Sequence, residues 1–353
     1  MRVGNVLNAV LLAALLLAAG AGWAAKPRIV ILATGGTIAG AQAAGQDAGY
    51  KSGSFQVEDL IKAVPNLDTL ADITGEQVVN IGSQDMNNEV WLKLAKRLNE
   101  ALAKRDVDAV VITHGTDTLE ETGYFLSLVI RSTKPVVMVG SMRPATGTSA
   151  DGPANIYNAV AVAAHPKARG RGVLVLLNDE IHYAREVTKT NTTQLDTFKS
   201  PNRGKAGMTN AGRVYFYDPL ATTHTSASVF SVEGLSELPR VEIIYAYANV
   251  GRDFIDHCIV LGCKGMVLAG VGDGNATQPA VAGLADAIRK GVAVVRSSRT
   301  NGGITDRNVE LNDDEMGSIA SMELNPQKAR VLLMLGLTKT SDAKKLQQYF
   351  YDY

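Results

Sequence analysis

Three strand-to-turn passages concentrate groups able to do chemistry. Residues 28–40, RIVILATGGTIAG, run from an apolar strand through a double glycine to the hydroxyl of Thr37. Residues 108–118, DAVVITHGTDT, have the same grammar and bring Thr116 with the acid Asp117 directly behind it. Between them in the chain, residues 79–85, VNIGSQD, place Ser83 and Gln84 after another short apolar run and a glycine. Residues 29–33 are too few and too β-branched for a helix, and Gly35-Gly36 lets the backbone turn where a side chain would block close approach. In open α/β sheets ligands bind beyond the carboxyl ends of the strands, so hydroxyls, an amide and a carboxylate collected there suit a nucleophile or a phosphate cradle.

The elements that must carry these groups follow from periodicity. Short apolar runs at 29–33, 78–81, 109–113, 136–139 and 173–177 alternate with helical spacing at 88–103 and 118–131, which predicts a parallel sheet with helices on both faces. Thr118 and Glu121 have the spacing of a capping box opening the second helix, and Asp117 could itself cap it. Residues 217–239, rich in Ser, Thr and Pro without a sustained period, read as a linker. A smaller α/β unit follows, with strands at 241–247, 266–269 and 292–297 and a helix at 325–336. The fold class is therefore α/β, with a larger N-terminal Rossmann-like domain over 26–216 and a smaller C-terminal domain over 240–353. GVGDGN at 270–275 lacks the last glycine of a dinucleotide fingerprint and is read as a strand-to-helix turn.

Composition limits the function classes. At 46% hydrophobic and 20% charged, the 353-residue chain has the material of about two globular domains. Arg2, the nearly uncharged run 6–19 and small residues up to Ala25 read as a cleaved secretory leader over 1–25, cut after Ala24 or Ala25, because the run is short of the ~20 residues a membrane span needs. The expected location is periplasmic, with no membrane association once the leader is gone. The formal net charge is zero, which removes the basic footprint of a nucleic-acid binder. Five scattered histidines imply no metal, and no cofactor motif is complete. Cys258 and Cys263, five apart on a predicted helix, are expected to be buried free thiols.

At these motifs the chain resembles the bacterial-type L-asparaginase and glutaminase-asparaginase family. The resemblance runs through ATGGTIAG at 33–40, NIGSQDMN at 80–87, ITHGTDTLEET at 112–122, MRPATGTSADGP at 142–153, VTKTNT at 187–192, YAYAN at 245–249, AGVGDGN at 269–275 and LNPQKARVLL at 324–333. It covers essentially the whole chain after the leader, and the leader resembles the periplasmic branch. The resemblance implies hydrolysis of L-asparagine to L-aspartate and ammonia, with weaker action on L-glutamine, and Thr37 as nucleophile. Tyr50, on a mobile loop over 40–53, is then the group that takes the nucleophile's proton. Thr116, Asp117 and Lys189 match a second cluster in which the lysine tunes the threonine and the acid holds the lysine. A lysine acts as a base only where burial lowers its pKa, and the position of Lys189 just beyond a strand fits partial burial.

An amino-acid substrate carries a carboxylate and an ammonium, and a specific pocket must meet both. By resemblance Ser83 donates to the carboxylate, Gln84 and Asp117 accept from the ammonium, and Asn249 and Glu310 reach a neighbouring subunit's site in a homotetramer. Ser141 stands where many relatives have alanine, adding a hydroxyl near the expected leaving-group pocket. The cysteine pair common after the first-domain helix is absent, with Ala101, Leu102 and Arg131 in that region. Two rival readings stay open. One is a glutaminase-leaning enzyme, since one methylene is discriminated by only about 1 to 3 kcal/mol. The other is a non-catalytic periplasmic amino-acid binding protein, which would need neither the threonine pair nor the lysine.

Overall fold

The computed structural model describes residues 25–42, 50–219 and 221–353, so the expected leader apart from Ala25, and residues 43–49 of the expected lid, lie outside the described residues. Strand β1 (Arg28–Gly35) is buried on both faces from Ile31 onward, as its unbroken apolar run requires of a central parallel strand. Beyond its tip, β2 (Ala41–Gln42) and β3 (Tyr50–Lys51) pair antiparallel. β4 (Asp72–Ile81), β5 (Ala109–Thr113), β6 (Val136–Val139) and β7 (Val173–Leu177) run parallel to β1, with β1 between β4 and β5. β8 (Glu180–Tyr183) turns back antiparallel on β7, and β9 (Thr188–Lys189) pairs with β10 (Phe198–Lys199) in a separate two-strand ribbon. β11 (Gly207–Asn210) and β12 (Arg213–Phe216) finish the edge, giving eight strands in the order β12-β11-β8-β7-β6-β5-β1-β4.

β4 is longer than expected from residues 78–81, because its polar first half pairs with β1 along the open edge. The three antiparallel strands are also absent from the sequence reading. They are short, and β11 and β12 alternate between buried or half-buried and exposed residues, a weaker signal than an apolar run.

Helices Val57–Lys62 and Gly152–Ala164 cover one face of this sheet, and Asn88–Ala103 and Leu119–Val129 the other. The second domain is a four-stranded parallel sheet, β13 (Val241–Tyr245), β14 (Gly265–Gly270), β15 (Ala293–Ser298) and β16 (Ile319–Ala320). Its helix Pro326–Leu337 packs on Leu119–Val129, so one apolar core runs through both domains. This explains why Leu119–Val129 is buried nearly all round, with Glu121 alone only partly covered.

The stretch 217–239 carries a single 3-10 turn, Thr225–Ala227, among its described residues, yet it is anchored. Phe230 is fully buried and packs against Tyr349 of the last helix, Ala343–Asp352, and against Tyr353 just after it. The Tyr353 carbonyl then accepts hydrogen bonds from Tyr124 and Arg185 of the first domain. Cys258 and Cys263 are buried and free, and burial beside Cys263 pushes the Cys258 thiol up to about 11. No helix among the described residues is long and apolar enough to cross a membrane.

Candidate active site

The tips of β1, β4 and β5 meet where two glycines leave room for nothing else. Gly35 (φ 100°) and Gly36 (φ 82°) adopt backbone that L side chains rarely take. A Cβ on Gly36 would lie 2.3 Å from the Cα and N of Gly115, and one on Gly115 would lie 2.6 Å from Ser83 Oγ. The Gly36 amide also donates to the Ile81 carbonyl at 2.9 Å. The contact sets the start of the 3-10 turn Thr37–Ala39, where Thr37 is 6% exposed, directly beside the β5 tip.

Ser83 opens the 3-10 turn Ser83–Asp85 after β4 and is buried. Its Oγ accepts from the Asp117 amide at 3.2 Å, and its carbonyl accepts from the Thr118 hydroxyl at 2.7 Å. Gln84 is exposed on the same turn. The Thr118 hydroxyl is thus spent between two strand tips, and Thr118 holds φ −121°, ψ 18° rather than the extended conformation of a capping residue. The expected capping box with Glu121 does not form, and Asp117 does not cap the helix either. The Asp117 carboxylate turns to Lys189 instead.

Lys189 Nζ donates to Asp117 Oδ1 at 2.7 Å and to Thr116 Oγ1 at 3.0 Å. The lysine side chain is 18% exposed and that of Asp117 57%. One oxygen of Asp117 therefore serves the lysine while more than half of its side chain faces solvent. Because the Thr116 oxygen accepts from the lysine, its own proton is left to donate elsewhere. Lys189 reaches this point from β9, and its backbone N–H donates to Glu120 Oε2 at 3.0 Å. Glu120 is 4% exposed and was not singled out by spacing, although a carboxylate within the apolar stretch 119–130 was a visible signal.

His114, just before the Gly115 turn, is completely buried, and burial lowers its pKa to about 4. Its Nδ1 lies 2.7 Å from the Gly115 carbonyl, a hydrogen bond only for the tautomer protonated there, while Nε2 has no partner.

The base of the expected lid is tied to the same place. The Gly53 amide donates to the Gly36 carbonyl at 3.3 Å, and Asn80 Nδ2 to the Gly53 carbonyl at 2.7 Å. Tyr50 lies on β3, its backbone opposite Gln42. From the other side the 142–151 loop, held by the Asp151 carboxylate on the Met142 and Arg143 amides, donates from Ala145 to the Gly40 carbonyl. Ser141 is buried at the start of that loop and donates to the Arg143 carbonyl at 2.7 Å, so its extra hydroxyl is used locally.

Asn249 and Glu310 are placed differently. Asn249 is exposed on the turn after β13 with φ 65°, and Glu310 is exposed and bonded to Asn275 on the turn after β14. Among the described residues, no hydrogen bond joins either to the Thr37, Ser83, Thr116, Asp117 and Lys189 group. The loop bearing Glu310 is pinned from below by the buried Arg296 to Asp313 pair, whose guanidinium also donates to the Asp273 and Asp306 carbonyls. No group of three or more His, Cys, Asp or Glu suited to a metal occurs among the described residues.

Comparison with known proteins agrees with this architecture over both domains. Residues 28–222 match the family model described as asparaginase, N-terminal, and residues 240–350 the one described as glutaminase/asparaginase C-terminal domain. The chain is 54% identical to an L-asparaginase 2 of Bacillus subtilis (strain 168), covering 93% of this chain and 87% of that one. It is 52% identical to a probable periplasmic L-asparaginase of Haemophilus influenzae, covering 93% of each. A crystal structure of a probable cytoplasmic L-asparaginase from Campylobacter jejuni superposes with a TM-score of 0.90 at 48% identity, covering 93% of this chain and all of the other. The chain belongs to the bacterial-type asparaginase and glutaminase-asparaginase family of amide hydrolases.

Proposed function

We propose that the protein hydrolyses L-asparagine to L-aspartate and ammonia, with Thr37 as the nucleophile. The observation that carries this reading is the Lys189 ammonium bridging Thr116 Oγ1 and Asp117 Oδ1 immediately beside the Gly36 to Gly115 contact that seats Thr37. Ser83 and Gln84 receive the substrate carboxylate and ammonium, and Asp117 offers its second oxygen to the ammonium. The Thr37 oxygen attacks the side-chain amide carbon while Tyr50 takes its proton. The C–N bond then breaks, and the leaving nitrogen departs as ammonia with that proton. Water cleaves the resulting acyl ester and returns the proton to Thr37. Thr116, kept as a donor by Lys189, stabilises the charge that develops on the reacting carbonyl.

Asn249 and Glu310 complete the pocket of a neighbouring copy in a homotetramer. An exposed apolar surface beside Asn249, formed by Tyr245, Tyr247, Phe254 and Leu261, supports assembly through the edge strand β13. Export to the periplasm follows the leader-like residues 1–25. Glutamine is the weaker substrate; the family description that names both activities keeps a glutaminase-leaning preference as the second reading. The test is ammonia release from asparagine and glutamine side by side, by the wild type and by Thr37→Ala. We expect a higher kcat/KM on asparagine and a loss of at least about 10^4-fold in the variant, with its fold intact. A folded Thr37→Ala protein that turns over at the wild-type rate removes the nucleophile assignment, and a higher kcat/KM on glutamine reverses the substrate order.

A further inference from the structure

Lys189 sits on a ribbon of two residues that belongs to neither sheet, which is a weak foundation for a group whose ammonium must stay within 3.0 Å of two partners. Its support comes from elsewhere. Of the three residues leading up to its side chain, two are gripped directly by polar groups at the N-terminus of the second domain's Pro326–Leu337 helix, and the third is held through Glu120 of the first domain. Lys328 Nζ, 2% exposed, donates to the Val187 carbonyl. Asn325, which caps that helix, approaches Thr188 Oγ1 at 3.4 Å. The Lys189 amide donates to Glu120, whose other oxygen accepts from Asn325 Nδ2 at 3.3 Å and from Gln327 Nε2.

Glu120 is the junction of this arrangement. It lies in the first turn of the same helix that follows Thr116 and Asp117, so one rigid segment holds both the main chain and the ammonium of Lys189. Its negative charge is favoured at a helix N-terminus, and its oxygens take three donors from two domains. Burial depresses the Lys328 amine, against the pull of Glu120 and Glu186.

We infer that Glu120 is a positioning residue for Lys189, and that Asn325 and Gln327 couple the second domain to the first-domain active site through it. The inference rests on the proposed role of Lys189. Removing the charge by Glu120→Gln leaves one end of the side chain a donor, facing the donors of Asn325 and Gln327, so the backbone of β9 shifts while substrate-contacting groups stay in place.

The experiment compares wild type, Glu120→Gln, Lys189→Met and the double variant by kcat and KM for asparagine and by thermal melting. A displaced catalytic group costs turnover more than binding, so Glu120→Gln is expected to lower kcat about tenfold with KM within about twofold. In the Lys189→Met background the same change should alter kcat by less than about twofold, because the group it positions is gone. Exchanging the pair, Glu120→Gln with Gln327→Glu, restores an acceptor opposite the new amide and should recover most of the lost kcat. If Glu120→Gln does not fold, Gln327→Ala leaves the carboxylate and is expected to lower kcat about threefold. An unchanged kcat with a lowered melting temperature, or equal losses in both backgrounds, overturns the inference and leaves the lysine role standing. Full turnover by Lys189→Met overturns the lysine role itself, and the inference with it.

Discussion

The two sets of polar residues are built on opposite plans. Ser83, Thr116, Asp117 and Lys189 are tied to one another across strand tips, with Thr37 wedged in by the Gly36 to Gly115 contact. Asn249 and Glu310 ride on exposed turns of the second sheet, where Glu310 bonds Asn275 of its own domain. A cross-linked group can be preorganised within one chain, at the cost of a backbone so close that it tolerates no Cβ. An exposed group on a pinned loop keeps its polar atoms available for another surface. Under the proposed function the site then has two halves, one finished in the fold and one presented outward.

The largest effect expected from this contrast is recovery of activity by mixing. Thr37→Ala and Glu310→Ala subunits, each strongly impaired alone, should regain turnover when unfolded and refolded together, since some sites then combine an intact half from each. Hybrid oligomers without activity above either parent would mean that each chain closes its own site. Next in size is Lys189→Met, expected to lower kcat about 100-fold by removing a charge-assisted donor from the finished half. Retained turnover there would reduce Asp117 to a surface acid.

The closeness of the first half can be tested by a pair of alanines. Gly36→Ala meets the Gly115 backbone and should cost about 2 to 4 kcal/mol in urea unfolding. Gly262→Ala, in the second domain, has the same kind of backbone (φ 71°) with nothing within 4 Å, so it should cost only about 1 kcal/mol. Equal costs would show that strain, not the meeting of tips, makes glycine necessary at position 36.

The smallest effect concerns His114. Its native pKa is about 4 against an ordinary 6.5, so between those values the unfolded chain binds the proton that the native one refuses. Stability is therefore present above about pH 6.5 and lost as the pH falls toward 4, by roughly 2 kcal/mol between pH 7 and pH 5. His114→Asn should flatten the stability profile by that amount, measured by urea unfolding at the two pH values. An unchanged slope would place the acid sensitivity in other groups.

Much of the scaffold is legible before folding. The runs behind β5, β6 and β7 are apolar at every position but Thr113 because both of their faces are covered, and that pattern survives any rearrangement of neighbours. The helix Asn88–Ala103 likewise has the bounds its spacing predicts. β11 and β12 were invisible because half of each faces outward. Glu120 and Glu121 illustrate the harder case: spacing pointed to Glu121 as a cap partner, whereas the second domain's arrival made Glu120 the buried acceptor.

The sequence by itself determined the strand cores, the glycines that let the tips approach and the residue types at those tips. These depend on local sterics and on burial periodicity, which adjacent residues carry. Only the tertiary structure decided which hydroxyl met which acceptor, that Thr118 would bridge to Ser83 instead of capping its helix, and that Lys189 would be held from the second domain. Those choices depend on donors and acceptors brought together across 35 to 205 residues of chain, and their geometry exists only once the shared core has closed.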